Sequence, residues 1–103
     1  MDPAIPSIEK IEISDVVVST TGRDAGGLFY VIDADETFLF LADGKGRTLD
    51  RPKRKKRKHV QKVLRSETRV AQKLRSGDKV LNGELRRDLA FHARQTASED
   101  LGG

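Results

Sequence analysis

The sequence predicts a mainly β fold: a small antiparallel barrel followed by two short C-terminal helices. Short β-branched and aromatic runs alternate with turn-forming clusters through Leu49. After Ser66 the apolar spacing changes to that of helices. With 103 residues the chain has room for one domain and a modest core. A meander of short strands in so small a chain buries its faces best by curling on itself.

In chain order, residues 1–10 hold two of the three prolines and no period, and read as a flexible lead-in. Ile11–Thr20 is rich in β-branched residues and forms the first strand. Its apolar phase slips, with Ile11 and Ile13 on one alternation and Val16 and Val18 on the other, so a bulge or bend is expected near Ser14–Asp15. Thr21–Gly27 is a Gly-rich turn. Leu28–Ile32 is the second strand, Asp33–Glu36 a polar turn and Thr37–Ala42 the third strand. Asp43-Gly44 is a strong hairpin signal, because Gly accepts positive φ without steric cost. A short fourth strand follows at Arg47–Leu49.

Arg51–Lys58 (RPKRKKRK) carries seven basic residues in eight, with Pro52 against helix. So many like charges predict an arm that is disordered when free. His59–Leu64 returns as a last strand, with Val60 and either Val63 or Leu64 turned inward. Ser66 is the expected N-cap of a helix over Glu67–Arg75, with Gly77 as its stop. Asn82 is expected to cap a second helix, with Leu85 and Leu89 on one face and Glu84 in the first turn. The expected organisation is a barrel over 11–64 with its basic arm at 51–58, a helical segment over 65–93 and a disordered tail over 94–103. There is no internal repeat.

The net charge of +4 hides an asymmetry. Residues 1–50 carry four basic and ten acidic groups, a net of −6, and residues 51–103 carry sixteen and six, a net of +10. Such polarity points the basic half at a polyanion. The absence of Cys removes disulfides and thiolate sites and fits a reducing, cytoplasmic setting. With two histidines and no Cys, a structural zinc site is not expected, and no other metal or cofactor is implied. The start of the chain lacks the basic and apolar segments of a signal peptide. The longest apolar runs, Val16–Val18 and Phe38–Ala42, fall far short of the about 20 residues that cross a bilayer.

The Gly-rich turn by itself is an ordinary hairpin loop that needs positive φ. Its surroundings are more specific. VVVSTTGRDAGGLFYVI resembles the KOW motif of RNA-binding proteins from Gram-positive bacteria, relatives of the archaeal and eukaryotic large-subunit ribosomal protein family L-fourteen-e. The resemblance continues in order through FLFLADGKGRTL, RPKRKKRKHV and GDKVLNGELRRDL, and so covers roughly Ser14 to Leu89. One departure is Ser14, where relatives often have Gly. The resemblance implies an SH3-like barrel of KOW type and a noncatalytic RNA-binding role, ribosomal or ribosome-associated. Its implied partners are ribosomal RNA and the large ribosomal subunit, with no membrane, no small-molecule substrate and a monomer when free.

The candidate RNA-binding residues are Gly22, Arg23, Asp24, Gly26 and Gly27 of the loop, then Lys45 and Arg47. Arg51, Lys53, Arg54, Lys55, Lys56, Arg57 and Lys58 of the basic run follow, with His59 and Lys62 beyond it. The loop glycines would let backbone N–H groups approach phosphate, and the basic run would release condensed counterions on binding. Replacing Arg54, Lys55, Lys56 and Arg57 together is expected to weaken RNA binding without loss of stability. No aromatic interleaves with the basic run in sequence. Core packing is the expected place of at least three of the four phenylalanines, and recognition is expected to be of shape and phosphate rather than stacked bases.

His92 reads as a helix-surface residue, and neither histidine has a triad partner at suggestive spacing. The alternative reading is a KOW-type transcription-elongation or regulatory module that binds RNA polymerase and nascent RNA. A groove for proline-rich ligands is disfavoured by the absence of Trp and the single Tyr. No residue pattern suggests an enzyme.

Overall fold

The computed structural model describes residues 10–102, so the lead-in lies outside the described residues except for Lys10. The elements are β1 (Asp15–Ser19), β2 (Leu28–Ala34), β3 (Phe38–Ala42), β4 (Lys53–Lys56), β5 (Val60–Arg65), α1 (Arg69–Ser76) and α2 (Asn82–Gly102), with a 3-10 turn at Arg57–His59. The strands form one antiparallel sheet in the order β4-β3-β2-β1-β5. The mainly β class followed by two C-terminal helices is therefore as the sequence led us to expect.

Closure of the barrel is not. No ladder joins β4 to β5 among the described residues, although the three-residue turn makes them neighbours in the chain. A flat sheet would hold these two edges about 19 Å apart, whereas three 3-10 residues advance only about 6 Å. The sheet must therefore curl strongly. The turn pins both ends of the gap: Arg57 N–H donates to the Thr37 carbonyl at 3.0 Å, and the His59 carbonyl accepts from Thr20 N–H at 2.9 Å.

Curling divides the apolar residues by strand parity. Ile11, Val17, Phe29, Val31, Leu39, Leu41 and Val60 fill the concave interior. Val16, Tyr30 and Ala42 face outward and are buried under Val70 and Ala71 of α1 and Leu85 and Leu89 of α2. Both faces of β1 are thus buried, which explains its unbroken Val16-Val17-Val18 run better than a single inward alternation does. In β5 both Val63 and Leu64 pack on the helix side. Val16 pairs with Leu64 and Val17 with Lys62, so Val63 is bulged.

The expected irregularity at Ser14–Asp15 is present as a bend before β1. Ser14 is fully buried at φ 76°, a left-handed conformation that favours Gly. Its Oγ accepts from Arg75 Nη1 at 2.7 Å and its N–H donates to the Val31 carbonyl at 2.8 Å, which fixes the position.

Several boundaries differ from the expectation. Arg47–Leu49 is not a strand. Asp43 Oδ1 accepts from the backbone N–H of Lys45 and Arg47, each at 2.9 Å, and this carboxylate organises an irregular loop instead of a two-residue hairpin. The fourth strand lies further on, inside the basic run. Thr68, not Ser66, caps α1 by accepting from Ala71 N–H at 3.3 Å, and Gly77 ends the helix at φ 78°. Asn82 begins α2, but its Oδ1 accepts from Leu49 N–H at 2.8 Å, while Glu84 reaches back to Leu81 N–H at 3.0 Å. The expected tail is helical as far as Gly102, since no Pro or Gly interrupts residues 94–101.

Candidate nucleic-acid interface

The basic run is built into the fold rather than hanging from it as a disordered arm. Lys53–Lys56 is an edge strand paired on β3, with Lys53 opposite Leu41, Arg54 opposite Phe40, Lys55 opposite Leu39 and Lys56 opposite Phe38. Lysines suit an unpaired sheet edge because they discourage pairing with another chain. Alternation then separates the charges. Lys53 and Lys55 share the face of Leu41 and Leu39 and turn toward the mouth of the curled sheet, whereas Arg54 and Lys56 point outward and are exposed.

At the mouth the basic strand meets the Gly-rich loop. Lys55, only 9% exposed, donates from Nζ to the Thr21 carbonyl at 2.6 Å. Asp24 stands among Arg47, Lys53 and Lys55, with N···O separations of 3.8, 4.0 and 4.0 Å. Gly22 lies at φ +78°, and a Cβ built there would be 3.3 Å from Lys55 Nζ. The loop and the basic strand thus form one continuous surface, with Asp24 as its internal counter-ion. That role replaces the expected one for Asp24, because a carboxylate repels phosphate.

The loop backbone is also less available than expected. Ala25 N–H donates to the Gly22 carbonyl, Gly26 N–H to Ser19 and Gly27 N–H to Asp24, at 3.1, 2.9 and 3.0 Å. These N–H groups hold the loop's own shape, with Gly26 at φ 88°, and are not free to cradle an anion. What the loop offers outward is the exposed Arg23 side chain.

The remaining candidates divide by what they touch. Lys45, Arg51, Arg54, Lys56 and Lys58 are exposed, and Arg47 and Lys53 are half-buried beside Asp24. Arg57 instead bridges backbone, donating from Nε to the Asp35 carbonyl and from Nη1 to the Ile11 carbonyl, both at 2.9 Å. Lys62 pairs with the fully buried Asp15 at 3.4 Å. His59 is half-buried, and its carbonyl secures Thr20 through both the backbone N–H and Oγ1. Lys55, Arg57 and Lys62 are thus structural cations.

Two groupings escaped the sequence reading. Only Phe29 of the four phenylalanines is buried; Phe38 and Phe40 are half-exposed on the outer face, and Phe91 is 41% exposed. Cross-strand register sets Phe38 and Phe40 opposite Lys56 and Arg54, and the Arg54 guanidinium lies 4.3 Å from the Phe38 ring centroid. Aromatic and basic residues therefore interleave in space although not in sequence. The alternating FLF and KRKK runs would have disclosed this once paired in register.

The second grouping is a buried polar cluster between sheet and helices. Tyr30 OH donates to Asp88 Oδ2 and lies 2.8 Å from Ser66 Oγ, and His92 Nε2 lies 3.0 Å from Ser66 Oγ and 3.5 Å from Asp88 Oδ2. His92 is 7% exposed, so it is not a surface residue. Burial, followed by the bond to Asp88, pushes the Tyr30 phenol well above its ordinary pKa. Ser, His and Asp do meet here, but one ring nitrogen faces both partners, which is not the relay geometry of a triad. The cluster fastens α2 to β2.

Among the described residues no His, Cys, Asp or Glu grouping is arranged to hold a metal ion, and no helix is long and apolar enough to cross a membrane. Compared with known families and with curated proteins, the chain matches no family model and no curated protein.

Proposed function

We propose that the chain is a noncatalytic RNA-binding protein of the KOW type, related to the L-fourteen-e family, that binds folded ribosomal RNA as a ribosomal or ribosome-associated component. The observation that carries this reading is the junction of the Gly-rich loop with the basic strand through Asp24 and Lys55. The exposed cations Arg23, Lys45, Arg51, Arg54, Lys56 and Lys58 surround or adjoin that junction along the chain. They supply phosphate contacts, and arginine adds a planar fork that lysine lacks.

The edge strand β4 presents Arg54 and Lys56 at fixed spacing, so little ordering entropy is lost there on binding. Rigid presentation suits a preformed helical or folded RNA, whose phosphates are also fixed in space. The test is co-sedimentation of the purified protein with large ribosomal subunits at low salt, beside a pull-down of RNA polymerase. Retention on the subunit and its loss at high salt support the reading. Failure to bind the subunit or its isolated RNA removes it, and stable capture of polymerase instead favours the transcription-factor alternative.

A further inference from the structure

Beyond phosphate binding by the exposed cations, we propose that the outer face of the β3–β4 ladder is a further RNA contact, a stacking platform for one unpaired nucleotide. The inference rests on the RNA-binding reading and names a ligand chemistry that reading does not include.

The helices stop short of this part of the sheet. Ala42, at the end of β3, is buried under them, but Phe38 and Phe40, on the same face of the strand, belong to neither core cluster and remain half-exposed. They lie about 7 Å apart along the strand. Two neighbouring half-exposed rings rimmed by charged side chains are the kind of apolar patch that marks a contact site. A protein partner would demand a wide apolar patch, yet the neighbours here are Arg54 and Lys56, both exposed. Rings flanked by cations match a nucleotide, which has an apolar face on its base and a charge on its phosphate.

The details give the nucleotide a direction. The Arg54 guanidinium stacks on Phe38, at 4.3 Å from the ring centroid, and not on Phe40, its partner in register. The Phe40 face is therefore the one left for a base, with the guanidinium as its flank. Asp33, exposed and paired in register with Phe40, repels a phosphate from that end. At the opposite end a cleft of about 350 Å³ opens between Glu36, Thr37, Lys56, Arg57 and Lys58, where three cations outweigh the one carboxylate and the lysines can meet the phosphate. The base lies on Phe40 and the backbone runs toward Lys56 and Lys58.

The probe is a ribosomal RNA hairpin with and without a four-nucleotide single-stranded tail, the tail carrying 2-aminopurine, together with the tail alone. For the wild-type chain the tail should raise hairpin affinity on the order of tenfold, the size of one base–aromatic stack, and 2-aminopurine fluorescence should be quenched. Phe40→Leu, which keeps an apolar side chain, should lose the tail-dependent gain and the quenching while binding the bare hairpin within about twofold of wild type. Phe40→Tyr should keep both, and unchanged melting of each variant certifies the fold.

If tailed and bare hairpins bind wild type alike, or if Phe40→Leu keeps the gain, the platform is overturned and the phosphate site stands. If the hairpin is not bound but the tail is, with Phe40-dependent quenching, the folded-RNA reading falls and the platform stands.

Discussion

Lys55 and Lys56 are adjacent, chemically identical and differently employed. Lys55 Nζ holds the Thr21 carbonyl from a 9% exposed position, whereas Lys56 points into solvent. Removing Lys55 leaves that carbonyl and Asp24 short of a partner, so Lys55→Ala should cost about 1–3 kcal/mol in denaturant unfolding. Lys56→Ala should lie within about 0.5 kcal/mol of wild type. The sequence shows how many charges the run holds but not this division, because strand parity assigns it and a Lys/Arg run carries no apolar period to reveal a strand. Joint replacement of Arg54 through Arg57 would consequently destabilise the protein, contrary to the sequence expectation, since Arg57 also ties Asp35 to Ile11. At the same scale, Tyr30 gives a pH signature. Its folded-state pKa is raised by burial and by Asp88. Its contribution is therefore complete below the ordinary phenol value of about 10 and is lost as pH rises beyond it. Thermal melts from pH 8 to 11 should show stability falling above pH 10, and Tyr30→Phe should be less stable at neutral pH and lack that part of the alkaline fall.

Among the elements, the β3–β4 connection and the start of α2 form a single joint. Gly44 sits at φ +79°, and a Cβ there would collide with the Asn82 carbonyl oxygen, while Arg86 donates to the Gly44 carbonyl and Asn82 Oδ1 accepts from Leu49 N–H. Gly44→Ala should cost about 2 kcal/mol or more, from the left-handed backbone and the backbone clash together; a change under about 0.5 kcal/mol by urea unfolding would mean the joint is not as described. The Asp-Gly pair was legible as a turn that needs glycine, but its second reason, the close approach of a helix nearly forty residues away, has no local signal. The same holds for Asn82 and Ser66. Both look like helix caps by local chemistry, and both are taken by tertiary partners: Asn82 by Leu49, Ser66 by the Tyr30–His92 cluster. The strands β1 to β3 were readable because alternation and turn chemistry agree there, and β4 was not because a Lys/Arg run carries no apolar period.

For the whole molecule, the curled sheet explains how one short chain shows two kinds of surface. The helices cover β5, β1, β2 and the Ala42 end of β3, whereas Phe38 and Phe40 of β3 and the outward Arg54 and Lys56 of β4 stay uncovered. The charge polarity read from the sequence, −6 over 1–50 and +10 over 51–103, becomes a spatial arrangement in which acidic Asp24 and Asp15 pin basic side chains instead of opposing them at a distance. Barrel closure could not be read from strand count, because it depends on whether β4 and β5 pair across a three-residue turn. The central claim is that the exposed cations of the basic run, Arg51 to Lys58, carry the affinity for RNA. Filter binding of a large-subunit ribosomal RNA fragment across salt concentrations, for wild type and for the joint Arg51, Arg54, Lys56 and Lys58 alanine variant, tests it most directly. The expected wild-type log–log slope is on the order of −4 to −5 for about six phosphate contacts, flattened by about 3 in the variant with folding intact. A wild-type slope near zero, or a variant that binds as wild type does, would contradict the account.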